Sequence, residues 1–85
     1  MLLIEFTSHA LARMAERGVS ADQVRRVLAH PLRTLPATLG REEVQGLIER
    51  DGRSLLLRVI LDRGAVLTII TVIATSKIDK YGGGP

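Results

Sequence analysis

The sequence predicts an α+β domain: an N-terminal strand, a two-helix α-hairpin, and a three- to four-stranded antiparallel sheet on which the hairpin packs. Three observations lead there. Two short amphipathic segments with cap residues lie before Pro31. After it come runs of Val, Ile, Leu and Thr separated by Asp-Gly and Gly turns, the pattern of successive strands. The length of 85 residues with 46% hydrophobic residues suits one small globular domain.

Leu2 to Phe6 reads as the opening strand. Thr7 or Ser8 can cap the first helix, and Gly18 can end it in the left-handed conformation. Ser20 and Gln23 have capping-box spacing, and Asp22 suits the positive end of a helix dipole. The second helix runs to about His30, where Pro31 stops it. Val24, Val27 and Leu28 mark its buried side, and Gly18-Val19 makes the hairpin link tight. On the first helix, at 100° per residue, Leu11, Met14 and Ala15 form the expected apolar side.

Leu32 to Leu39, which contains Pro36, reads as a loop or an edge strand. Gly40 to Glu43 is turn-like. Val44 to Arg50 and Arg53 to Leu61 flank Asp51-Gly52, a strong hairpin signal. After the turn at 62–64, Ala65 to Thr75 is the longest apolar run and reads as a central strand. Residues 1–81 form the expected domain, and 82–85 a flexible tail. The last two strands are apolar on both faces, and two helices can cover only one. The second face therefore calls for a partner or a second copy, or for cover by sheet twist and the Leu32–Leu39 segment.

Composition narrows the function classes. There is no cysteine, so no disulfide framework or cysteine-based zinc site exists. His9 and His30 alone make a weak metal case, and no phosphate-binding glycine loop or nucleophile elbow occurs. No metal and no cofactor is expected. Phe6 and Tyr81 are the only aromatics, which argues against a base-stacking platform. Net charge is +3, and ten of the twelve cationic residues are arginines, which suit bidentate contacts to phosphate or carboxylate. The sequence has no run long enough for a membrane helix and no signal-peptide pattern at its start, so a cytoplasmic protein without membrane attachment is expected.

Two features could carry chemistry. His9, Arg13 and Glu16 cluster on one stripe of the first helix with Arg17 nearby. Such a stripe can bind an anion or move a proton, and it can equally be a solvated face with local ion pairs. His9 at the first turn could also simply anchor the helix to the backbone. Arg58 sits mid-strand among apolar residues. A structural ion pair, with Glu5 or Glu49 for example, explains it, and so does a cation aimed at a phosphate.

Phe6-Thr7-Ser8-His9-Ala10, Arg13-Met14, Arg17-Gly18-Val19-Ser20, Leu57-Arg58-Val59-Ile60 and Thr71-Val72-Ile73 together resemble domain of unknown function 4258. That family is similar to the RelE/ParE-type toxins of bacterial toxin–antitoxin systems, including BrnT-like members. The resemblance implies a small sheet carrying an α-hairpin, a cognate antitoxin as partner, and RNA or another enzyme as target. It also implies basic residues with a histidine or tyrosine on the sheet and near the C-terminus. Here these are His9, Arg58 and Tyr81 as catalytic candidates, with Arg13, Arg17 and Lys77 for substrate binding.

Metal-free RNA cleavage needs a base for the 2′-hydroxyl, an acid for the leaving oxygen and a cation for the phosphorane charge. His9 could serve as one proton-transfer group, Arg58 as the cation, Arg13 as phosphate holder, and Tyr81 or Lys77 as the second proton-transfer group. The leading expectation is therefore a toxin with metal-independent endoribonuclease activity. The alternatives are a noncatalytic protein-interaction module on the same fold and a ParE-style inhibitor of another enzyme.

Overall fold

The computed structural model describes residues 3–76. In chain order the elements are β1 (Ile4–Phe6), α1 (Ser8–Arg17), α2 (Ala21–Ala29), β2 (Arg33–Pro36), β3 (Glu42–Arg50), β4 (Arg53–Arg63) and β5 (Leu67–Thr75), with a 3₁₀ turn at Thr38–Gly40. The strands form one sheet in the order β1-β5-β4-β3-β2. This corrects the expected antiparallel sheet of three or four strands. There are five strands, and β1 runs parallel to β5 at one edge. The Leu32–Leu39 segment supplies the other edge, β2, which is antiparallel to β3. The middle strand is β4, with β5 between it and β1.

Local chemistry explains the hairpin. The Thr7 hydroxyl caps α1 by accepting from the Ala10 N–H at 3.0 Å. Gly18 ends that helix at φ 65°, a conformation that favours glycine. In α2 the capping box is complete: the Ser20 hydroxyl accepts from the Gln23 N–H, and the Gln23 side chain accepts from the Ser20 N–H. Arg25 of α2 lies over the Phe6 ring, 5.9 Å from its centroid, and so braces the hairpin against β1.

The buried side of α1 differs from the expected one. Ala10 and Met14 are buried, whereas Leu11 is 52% exposed and Ala15 is also exposed. At 100° per residue this turns the helix by roughly 80° from the orientation that maximises hydrophobicity. With Ala10 facing the sheet the helix can approach closely, and its start is set by Thr7. The Thr7 hydroxyl donates to the Ile70 carbonyl at 3.2 Å, and its N–H donates to the Ile69 carbonyl at 3.1 Å.

Those bonds fall at a β-bulge. Ile60 pairs with Thr71 but Leu61 pairs with Ile69, so Ile70 has no partner on β4. The bulge switches the phase of β5. Leu67 and Ile69 face the core before it, and Val72 and Ala74 after it. The Ile70 carbonyl is taken by Thr7, which locks the start of α1 to the bulge.

One face of the sheet carries both helices over a core that includes Val44, Ile48, Leu57, Val59, Leu61, Ile69 and Val72. Gly46 makes the α2 contact close: a Cβ there would lie 2.9 Å from Val27 Cγ1. The strand register puts Leu35, Glu43, Gln45, Arg58, Ile60 and Thr71 on the opposite, helix-free face. Among the described residues no helix is long and apolar enough to cross a membrane.

Candidate functional site

The helix-free face holds a carboxylate and a guanidinium in a fixed relation. Asp51 and Gly52 both have positive φ, 53° and 75°, as a tight hairpin turn with the sheet's twist requires. That turn sets the register in which Arg58 pairs with Gln45, which leaves Glu43 one diagonal step away on the same face. Arg58 closes this diagonal with two hydrogen bonds. Its Nε donates to Glu43 Oε2 at 2.8 Å, and its Nη2 to Glu43 Oε1 at 3.1 Å. The two side chains are only 20% and 12% exposed.

Gln45 completes the group. Its Nε2 donates to Glu43 Oε2 at 2.6 Å, and it is 2% exposed. Its Oε1 is buried with no hydrogen-bond partner among the described residues. A lone buried acceptor is rare in folded proteins and calls for an explanation. Beside Glu43 a groove of about 630 Å³ opens, lined also by Pro36, Thr38, Arg41, Ile60 and Thr71. A carboxylate, the Arg41 side chain and two threonines thus line one concave surface, and Arg58 reaches it through its bonds to Glu43.

The Arg58 guanidinium holds the Glu43 carboxyl below the usual carboxylate range. Burial opposes this, while the Gln45 amide and the charge of Arg33 add to it. Glu43 therefore titrates lower in the folded chain than in the unfolded one. Its pairing stabilises the fold fully above the ordinary value of about 4.3, and that contribution disappears as pH falls through the folded value. The expected result is that Glu43→Gln flattens the pH dependence of stability below about pH 4.3, read as denaturant midpoints across an acid series. An unchanged slope would mean that the pair contributes nothing to acid unfolding.

Among the described residues, the sequence-predicted site residues are not gathered in one place. His9 is exposed on α1 and makes no side-chain hydrogen bond among the described residues, so the helix anchor is Thr7 rather than His9. Because α1 packs on the core face, the sheet stands between His9 and Arg58. Arg13 pairs locally with Glu16 at 3.5 Å, both about half-exposed. Arg17 lines a second cleft, of about 490 Å³, with Arg50 and Arg53 at the end of the β3–β4 hairpin. Lys77 and Tyr81 lie outside the described residues. Arg58 has Glu43 as its partner, in place of the Glu5 or Glu49 expected from sequence.

Glu43 and Gln45 are the residues that sequence reasoning missed. A signal existed. Counting back from the Asp51-Gly52 turn puts Gln45 opposite Arg58 and Glu43 two residues further on. Among the described residues no three His, Cys, Asp or Glu side chains gather as metal ligands.

Compared with known protein families, the chain matches the one described as Domain of unknown function (DUF4258) over residues 6–78. No curated protein and no solved structure matches the chain significantly.

Proposed function

We propose a function from two premises: the chain belongs to the family described as Domain of unknown function (DUF4258), and its helix-free sheet face carries a carboxylate held by a guanidinium beside a groove. The protein acts as a metal-independent endoribonuclease, the toxin of a toxin–antitoxin pair. A helical hairpin on one face of a small sheet is the arrangement that the RelE/ParE resemblance implies, and it supports this reading.

The Arg58–Glu43 pair is the observation that carries the proposal. A scissile phosphate entering the groove draws the Arg58 guanidinium to itself, since a phosphate accepts the same two-pronged contact as a carboxylate. Glu43 then loses the cation that depresses its basicity and gains a phosphate anion nearby. Both changes raise its proton affinity, so it becomes a better base as substrate binds. Glu43 takes the 2′-hydroxyl proton, the 2′-oxygen attacks phosphorus, and Arg58 bears the charge that develops on the phosphoryl oxygens. Gln45 holds Glu43 in place during the exchange. Tyr81 or Lys77 supplies the proton to the leaving 5′-oxygen. His9 has no part in this step.

A second reading has its own support. Leu39, next to Thr38 of the groove, is exposed, and Ile60 and Ile70 in its lining are only partly covered, so the groove and its rim offer an apolar surface to a protein. In the toxin reading this surface receives the antitoxin. In the alternative, a noncatalytic interaction module, receiving a partner is its whole purpose.

Induced expression in growing bacteria separates the two. The wild type arrests growth and degrades RNA, Glu43→Gln abolishes both effects, as does one of Tyr81→Phe and Lys77→Met, and His9→Ala leaves both intact. Intact RNA beside well-expressed, folded wild-type protein would remove the nuclease reading and leave the interaction module.

A further inference from the structure

The second cleft stands apart from the Glu43–Arg58 groove in both face and position. Leu55 and Ala74 in its lining belong to the core face, and its far wall is the end of α1. Along β3 it lies seven residues from Glu43, roughly 23 Å at strand spacing. We propose that this cleft is a binding site for the phosphates of a single-stranded RNA, held by Arg17, Arg50 and Arg53.

Charge pairing is the first argument. Arg13, Arg25, Arg41, Arg58 and Arg63 each hold a carboxylate. Arg17, Arg26, Arg33, Arg50 and Arg53 hold none among the described residues, and three of these five converge on this one cleft. Glu16 and Asp51 also line it, but Glu16 is engaged by Arg13.

Strand register is the second argument. Arg50 and Arg53 are directly opposite each other across the hairpin, and like charges in that relation repel and destabilise the sheet. A bound anion between them would turn that repulsion into attraction. Arg50 is braced for the role, since its Nη2 donates to the Gly18 carbonyl at 2.9 Å and ties the hairpin end to the end of α1. Arg17, the last residue of that helix, brings the third guanidinium. The choice of RNA rests on the nuclease reading: a strand cut on the helix-free face has to be held beyond the cut. Arginine forks match its phosphates in geometry as well as charge.

The test uses the full chain and a fluorescein-labelled oligouridylate with 2′-O-methyl sugars, which has no nucleophilic hydroxyl and reports binding without cleavage. Anisotropy titrations across a NaCl series compare the wild type with Arg17→Gln/Arg53→Gln and with Arg25→Gln/Arg26→Gln, which removes equal charge from α2. Arg50 is left in place because it holds Gly18, and thermal melts confirm that each variant is folded. The expected result is about tenfold weaker binding for the cleft variant and a salt slope shallower by about 1.4, the value for two phosphate contacts. The α2 variant changes affinity by less than about twofold.

Equal losses in the two variants, or no binding by the wild type, would overturn the site. So would displacement of the RNA by polyglutamate at matched charge, which would assign the cleft to an acidic protein. The outcome is independent of the nuclease reading. Binding through Arg17 and Arg53 with no cleavage of ordinary RNA defeats the nuclease and keeps the site. Cleavage with both double variants binding alike does the reverse.

Discussion

Arg58→Met is expected to lower RNA cleavage by about 10²- to 10³-fold and stability by on the order of 3 kcal/mol. The first loss follows from removing the cation that meets the developing phosphorane charge. The second follows from leaving the Glu43 carboxylate, only 12% exposed, without its two guanidinium bonds. The two losses have different remedies. In Arg58→Met/Glu43→Leu no unpaired charge remains, and apolar replacement of a largely buried pair is often neutral or stabilising. The double variant is therefore expected to recover part of the stability, since the buried Gln45 amide loses its Glu43 acceptor, and none of the cleavage. Urea unfolding and cleavage of an oligoribonucleotide, measured on the same preparations, read the two quantities separately. If the double variant regained cleavage together with stability, the pair would be structural alone. If Arg58→Met does not fold, the double variant still decides the point.

Gly46→Ala is expected to destabilise the domain by about 1–3 kcal/mol although it adds a single methyl group. The new Cβ would meet Val27 at 2.9 and 3.0 Å from its two methyl carbons. A valine on a helix has one strongly preferred rotamer, so it cannot swing aside, and α2 must lift from β3 instead. For a domain of this size each kcal/mol corresponds to a shift of roughly 4–8 °C in the melting midpoint. Val27→Ala makes room for the methyl group. The double variant Val27→Ala/Gly46→Ala should then be more stable than the sum of the two single changes predicts. Simple additivity in thermal or urea melts would show that Gly46 is not a contact point for α2.

The legible parts of the molecule are those where cause and effect lie within a few residues. The capping box at Ser20, the Gly18 helix end and the Asp51-Gly52 hairpin all appear where the sequence puts them. Each depends on a side chain reaching its own backbone, or on a residue that tolerates positive φ. Arg58 stood out as a charge in an apolar strand. Its partner could have been found by counting register from the turn.

The misread parts depend on distant segments. Hydrophobicity favours Leu11 and Ala15 beside Met14 as the buried side of α1, but the buried residues are Ala10 and Met14. What decides this is the separation allowed between helix and sheet and the anchoring of Thr7 to a strand more than sixty residues away. The parallel pairing of β1 with β5 and the bulge at Ile70 likewise join the two ends of the described chain. The bulge also hides in the pattern, because a run apolar on both faces gives no alternation from which a phase switch could be noticed.

The sequence by itself determined the α+β class, the caps, the hairpin turn and the chemical types available, including the arginine surplus and the absence of cysteine. Tertiary structure alone decided which of those groups meet. It joined Glu43 and Gln45 to Arg58 on one face, set His9 behind the sheet, and brought Arg17 to Arg50 and Arg53. The physical reason is one of range. Caps and turns are settled by forces acting over a few bonds, whereas the faces of a sheet are settled by strand register and helix packing across the whole chain.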